Sequence, residues 1–421
     1  MTKREDIESN NSNTRIIFFH NKFLLGGIEI LEAKVIDELL GLGYDVVVPS
    51  LENEPFNEVY AGISGAFARF SHRGYADFIA RAPELISDRV EKVIFASLHP
   101  AAAMVCEAAG RNIQRECKKN IPVHHFHWVS HSRAFFFKKN VLVNILFREF
   151  FKVLPIRSTY FMNDAALLAH QLFWSRSVAS HPILRIVGRN AKTKNSLSKS
   201  IDQTLMETHE SKLRIVSVGR LVPFKAYNVS APIVIRQLRD VGIEASWDIW
   251  GNGPDEAVII ANAQRHGVVD NVRLRGEISH ELFDETVSSY DVFVGMGTSV
   301  LEAANTRTPS CVAIENQGDA CYGFLHQSPS DSVGDRVDGV IERRLRDVLY
   351  DFASLTSEER RKVGEADENA TKLRESTLSE FVAAILTADP LKPIKWQERA
   401  LFVVVKAYLR QRQRKFRRNV N

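Results

Sequence analysis

Three consecutive stretches decide how the chain begins to fold: RIIFFH (Arg15 to His20), IEILEAKVIDELLGLG (Ile28 to Gly43) and YDVVVPS (Tyr44 to Ser50). The first has the length and apolar content of a buried strand. In the second, Ile28, Leu31, Val35, Ile36, Leu39 and Leu40 recur at helical spacing, and the third is strand-like again. Strand, helix, strand is the building unit of a parallel sheet. KVIFASLHP (Lys92 to Pro100) and IPVHHFHWVSH (Ile121 to His131) supply later strands, with the helical AAAMVCEAAGRNIQREC between them.

Residues 189 to 212 hold few large apolar groups and no strand pattern, and read as a linker. The pattern then restarts. LRIVSVGR, ASWDIWG, NVRLRG and DVFVG are strands, separated by helices through APIVIRQLRDVG and EAVIIANAQRHG. The expected architecture is α/β, with two doubly wound Rossmann-like domains facing a central cleft, and function is expected at the carboxyl ends of the strands. The expected boundaries are a polar leader over 1–14, an N-terminal domain over 15–188, the linker over 189–212, a C-terminal domain over 213–390 and a basic helix or tail over 391–421.

At 421 residues, 45% apolar and 25% charged, the chain has an ordinary globular composition. It contains no run of about 18 apolar residues, and MTKREDIESNNSNTR lacks the apolar stretch of a signal peptide. A cytoplasmic location is expected. Cys106, Cys117, Cys311 and Cys321 have neither CxxC pairing nor accompanying His spacing, so no zinc site or disulfide framework is indicated. The net charge is +4 and unevenly placed: no acidic residue follows Glu398, whereas Lys406, Arg410, Arg412, Arg414, Lys415, Arg417 and Arg418 crowd the end.

Four stretches lie where this architecture puts a ligand. Gly26 and Gly27, before Glu29, allow either close approach of an anion to a helix N-terminus or a tight turn with Glu29 complementing the helix dipole. In VSVGRLVPFK, Arg220 and Lys225 bring two cations to a strand end, where guanidinium and ammonium suit phosphate oxygens. WGNGP places Gly251 and Gly253 directly after a strand, and is neither GxGxxG with a ribose acid nor a Walker A loop. DVFVGMGTSVLEAANTRTPS (Asp291 to Ser310) ends a strand in small residues before a helix: Gly297, Thr298 and Ser299 offer amides and hydroxyls. Glu302 either accepts from a pair of sugar hydroxyls or, as a first-turn carboxylate, stabilises the helix by about 0.3–1 kcal/mol.

In this order, GGIE, GRLVPFK, WGNGP, LRGEISHELF and SVLEAANTRTPS resemble the GT-B glycosyltransferases of family 4 over roughly residues 14 to 315. FHWVSHSRAFFF and FMND are similar to segments of the bacterial members that build surface polysaccharides. The resemblance implies that Gly26 and Gly27 approach a donor diphosphate, that Arg220 and Lys225 neutralise it, and that the amides of Gly297, Thr298 and Ser299 complete the cradle. It implies Glu302 on the nucleotide ribose, Gly251, Gly253 and Ile278 around the nucleoside, and His131 at the transferred sugar. One departure matters: the family commonly carries a second glutamate eight positions before Glu302, and that position is Val294.

The implied reaction is transfer of a sugar from a nucleotide diphosphate sugar to a hydroxyl of a glycan or lipid-linked acceptor, with retained configuration and without cofactor or metal. Stabilisation of the leaving diphosphate is what the protein must supply. The alternative is a GT-B-like nucleotide- or glycan-binding subunit with little catalysis. AFFFKKNVLVNILFREFFK (Ala134 to Lys152) has the composition of an interfacial helix and equally of a helix packed on a core. The basic tail, Lys406 to Arg418, is expected to meet an anionic membrane surface, at about 1 kcal/mol per charge, making the protein peripheral at the inner face of the cell membrane. Nucleic acid is not an expected partner, because the tail lacks a recognition module and the rest of the chain is not basic.

Overall fold

The computed structural model of the protein describes residues 11–19, 27–52, 60, 62–117, 120–131, 140–174, 181–187, 212–329, 332–337, 339–393 and 399–420. Residues 189–211 of the expected linker, and Gly26, lie outside them. The chain divides into two compact units, one up to Val187 together with the residues from Ser376 onward, the other from Gly188 to Glu375.

In the first unit, β1 (Thr14–Phe18), β2 (Asp45–Leu51), β3 (Ala68–His72), β4 (Lys92–Ser97), β5 (Val123–Val129) and β6 (Thr159–Phe161) form one parallel sheet in the order β3-β2-β1-β4-β5-β6. Ile16 is level with Val46 on one side and Ile94 on the other. The central strands are buried on both faces, as a sheet covered by crossover helices requires. Those helices are α1 (Gly27–Gly41), α2 (Tyr75–Arg81), α3 (Pro100–Glu116), α4 (Val141–Phe151) and α5 (Asp164–Trp174). Pro100 opens α3, where its missing N–H costs nothing, and His99 Nδ1 accepts from Ala101 N at 3.2 Å.

The second unit has β7 (Lys212–Val218), β8 (Glu244–Trp250), β9 (Val272–Gly276), β10 (Val292–Gly295), β11 (Ser310–Ala313), β12 (Ala320–Phe324) and β13 (Arg343–Arg344). They are ordered β9-β8-β7-β10-β11-β12-β13, parallel up to β11 and antiparallel beyond. Its helices are α6 (Tyr227–Asp240), α7 (Glu256–Arg265), α8 (Phe283–Ser288), α9 (Thr298–Asn305), α10 (Leu345–Ala353) and α11 (Ser357–Thr371). Trp247 and Tyr227 are fully buried in its core, and Trp247 Nε1 donates to Ser217 Oγ at 2.8 Å while that hydroxyl donates to Val294 O at 2.7 Å. Three adjacent strands are thus tied together just below their carboxyl ends.

The expected end of the second domain at 390 differs from the structure. From Ser376 the chain belongs to the first unit, through α12 (Leu378–Leu386) and α13 (Arg399–Val420). Phe381 is buried edge-on against Trp128 at 5.4 Å and Phe126 at 5.5 Å. Phe402, Val405 and Leu409 of α13 lie in the first unit's core, with Phe147 against Tyr408 at 5.7 Å and the Arg111 guanidinium over Phe402 at 4.6 Å. An amphipathic pattern states that a helix has a face to bury and leaves open which sheet receives it. In the same way α4 buries Leu146, Phe147, Phe150 and Phe151, so its aromatics serve packing, while residues 134–139 lie outside the described residues.

Candidate functional site

The carboxyl ends of the second sheet are joined into a rim by main-chain hydrogen bonds between loops. Gly251 N donates to Gly276 O at 2.6 Å, Gly219 N to Trp250 O at 2.9 Å and Leu221 N to Asn252 O at 3.0 Å. Asn316 N donates to Phe224 O at 2.8 Å, Glu315 N to Gly334 O at 2.9 Å and Gly297 N to Val333 O at 2.6 Å. Glycine is required where these loops touch. Gly219 and Gly251 have φ +143° and +133°, which oppose a β-carbon, and a side chain at Gly251 would also collide with the carbonyl of Gly219. The sequence motifs GRLVPFK and WGNGP are therefore one interlocked element.

Arg220 and Lys225 stand on this rim, Arg220 exposed and Lys225 partly accessible. Several other cations of the unit are paired with carboxylates. Asp248 accepts from Arg273 at 2.9 Å, Arg275 at 2.9 Å and Tyr290 at 2.7 Å, and Arg214 pairs with Asp291 at 3.2 Å. Among the described residues neither Arg220 nor Lys225 has an ion-pair partner. Loss of water around the ammonium, and then the neighbouring Arg220, push the Lys225 pKa down to about 8. Two adjacent cations at a strand end offer donors of the kind that anion oxygens accept from.

The helix expected to face them starts at Thr298, after Gly297 at φ +77°. Thr298 and Ser299 keep amides that donate to no acceptor among the described residues, as expected at a helix N-terminus. Gly297 does not. Its N–H is taken by Val333, which removes it from the expected cradle. Glu302 is the fifth residue of α9, beyond the first turn, so stabilisation of the helix dipole is not its main role. Val294 is inside β10 and fully buried in the core, so the position eight before Glu302 belongs to the sheet interior.

The other expected residues lie as follows. Gly253 follows β8 on the rim, with its N–H donating to Glu256 Oε1 at 2.7 Å. Ile278 is half-buried two residues past the end of β9. Gly27 is the first residue of α1. His131 is exposed, two residues past β5 in the first unit. Sequence reasoning missed Glu315 and Asp335, buried acids at the rim whose carboxylates lie within 4.8 Å of each other. A carboxylate directly after the apolar run CVAI was the available signal for Glu315.

No family model matches the chain, and no curated protein matches it. Solved structures do. HepE of Anabaena, in complex with UDP and glucose, is 12% identical, with 89% of this chain and 99% of that chain covered at a TM-score of 0.61. A glycosyltransferase of Rickettsia africae is 12% identical, with 90% and 100% covered at 0.60. WaaG, a glycosyltransferase involved in lipopolysaccharide biosynthesis, is 14% identical, with 89% and 100% covered at 0.55. Likeness at such identity is likeness of fold, and the fold of this chain is GT-B, built of two Rossmann-like units.

Proposed function

We propose that the chain is a retaining glycosyltransferase of family 4 that moves a sugar from a nucleotide diphosphate sugar to a hydroxyl of a glycan or lipid-linked acceptor in bacterial surface polysaccharide synthesis. The observation that carries this reading is the uncompensated pair Arg220 and Lys225 on the strand-end rim of a GT-B unit. Neighbours crystallised with UDP and UDP-glucose support a nucleotide sugar as the ligand class. In this reading the two cations hold the diphosphate, the amides of Thr298 and Ser299 receive its oxygens, and Glu302 accepts from the ribose hydroxyls. Charge that develops on the leaving diphosphate is met by groups already in place, which lowers the barrier without a protein nucleophile. His131 is assigned to the transferred sugar, and no metal or cofactor is assigned.

A thermal-shift screen of UDP, GDP and ADP with their sugars tests the donor class, since a ligand that binds the native state raises the transition temperature. Transfer assays on Arg220→Ala and Lys225→Ala then test the site; unchanged rates in both variants overturn it. The burial of Val294 favours a second reading, a subunit that binds nucleotide or glycan with little turnover. Donor binding without transfer, across the same panel with acceptor present, decides for it.

Attachment to an anionic membrane surface through Lys406 to Arg418 is part of the same proposal. Among the described residues no helix is long and apolar enough to cross a membrane. The exposure of Lys406 and Arg410 on α13 supports attachment.

A further inference from the structure

Lys406 and Arg410 stand one helical turn apart on α13, where that helix meets α2 and α3. With Arg115 they rim a groove of about 180 Å3 whose floor includes Ile79 and Leu409, 8% and 1% exposed. Asn112, Arg115 and Lys406 are shared with a wider cavity of about 580 Å3 beside Phe402. Arg115 is held by Glu116 at 2.8 Å and Asn112 at 2.7 Å. Lys406 and Arg410 have no hydrogen bond or ion pair among the described residues, and no acidic residue follows them in the sequence. Like charges four apart on a helix repel, so an anion in the groove relieves a cost that the folded chain carries without it.

The surroundings specify the source of that anion. α13 exposes Val403 and Val404, and α4, packed on α13 through Phe147 and Tyr408, exposes Val141, Leu142 and Ile145. Aliphatic side chains exposed on the helix that carries the cationic rim, together with an apolar floor, suit a lipid at a bilayer surface better than a free anion in water.

We propose that the groove between α2, α3 and α13 binds the phosphate of an anionic lipid headgroup, with Lys406 and Arg410 as its principal ligands and Ile79 and Leu409 beneath the glycerol. This deepens the membrane reading above and is independent of the donor reading, which concerns the other unit.

The test is sedimentation of the full chain with phosphatidylcholine vesicles, with and without phosphatidic acid. The wild-type chain is expected to sediment only with the acidic vesicles. Two variants separate a groove from a diffuse field: Lys406→Gln with Arg410→Gln, and Arg414→Gln with Lys415→Gln, Arg417→Gln and Arg418→Gln. Both sets replace helix residues, and the groove pair is exposed, so unchanged melting temperatures are expected. The groove pair is expected to weaken partitioning by 30-fold or more and the four distal changes by less than 10-fold. If charge number alone governed attachment, four losses would outweigh two. That reversed order overturns the groove. Glycerol 3-phosphate is expected to release the wild-type chain more effectively than sodium chloride of equal ionic strength, and equal release overturns it as well. Failure to sediment with any acidic vesicle overturns the groove and the membrane reading together, while donor turnover in solution bears only on the donor reading.

Discussion

The strand ends of the two units handle polar groups in opposite ways. In the first unit Ser97 Oγ bridges His125 Nε2 at 2.9 Å and His127 Nδ1 at 2.8 Å, and His125 Nδ1 reaches Glu107 Oε2 at 3.2 Å. Glu107 also pairs with Arg111, whose guanidinium donates to Lys392 O at 3.0 Å. Every charge in this chain of contacts meets a partner, and burial together with the adjacent His125 holds His127 well below the ordinary histidine range. In the second unit the rim leaves Arg220 and Lys225 facing each other without a carboxylate among the described residues. Charges paired inside the first unit belong to the architecture, whereas cations left unpaired on the rim of the second are available to an anionic ligand.

Breaking the buried ion pair should give the largest effect. Glu107→Ala leaves a largely buried Arg111 without its counter-charge, and removal of one partner of such a pair costs about 3–5 kcal/mol. Denaturant unfolding is expected to register that loss, with nucleotide-induced stabilisation retained wherever the variant is folded. The open site should behave in the reverse sense. Lys225→Met removes a charge that is disfavoured in the native state, so it is expected not to lower the unfolding midpoint and to lower transfer by about 100-fold, near 2.7 kcal/mol, as measured by initial rates of donor consumption.

Gly251→Ala tests whether the rim is one piece. Positive φ and the Gly219 carbonyl both oppose a β-carbon, so a loss of about 1–3 kcal/mol is expected, with a melting temperature lower by about 2–4 °C for each kcal/mol. Weaker nucleotide binding should accompany it, since the displaced loop carries Arg220. The smallest effect is that of pH. Lys225 has a folded pKa lowered to about 8, so below that value it is charged and ready for an anion, and above it the charge is lost. Nucleotide affinity, read by titration calorimetry, is expected to be flat below pH 8 and to fall by up to about tenfold per pH unit above it, with a flat profile in Lys225→Met. For stability the sign is opposite: between about 8 and 10.5 the unfolded chain binds the extra proton, so this group makes the native state more stable as pH rises through that range.

The strands that decide the fold were legible because their apolar runs are bounded and buried on both faces: β1, β2, β4, β5, β7, β8 and β10 were all marked by their sequence. β6 was not, being the three residues Thr159–Phe161, too few for any periodicity, and neither was β3, whose ARFSH is largely exposed. At the site, the pairing of a cationic loop with a glycine loop followed from strand order, and so could be read. The fate of the Gly297 amide could not, because its acceptor, Val333, is 36 positions away and joins by tertiary contact alone. That Glu302 lies beyond the first turn could not be read either, because only the backbone at Gly297 fixes where α9 starts.

The return of the chain to its first unit sets an order of events during synthesis. The second unit has its own core complete once Glu375 has emerged, whereas the first still lacks Phe381, Phe402, Val405 and Leu409. Its sheet keeps apolar surface uncovered until α13 has been translated, although β1 precedes the whole of the second unit. Chaperone dependence and early degradation should therefore concentrate on the amino-terminal half of nascent chains. Removal of α13 to erase its positive charge would remove part of that core as well, so charge at this end is better probed by substitution than by deletion.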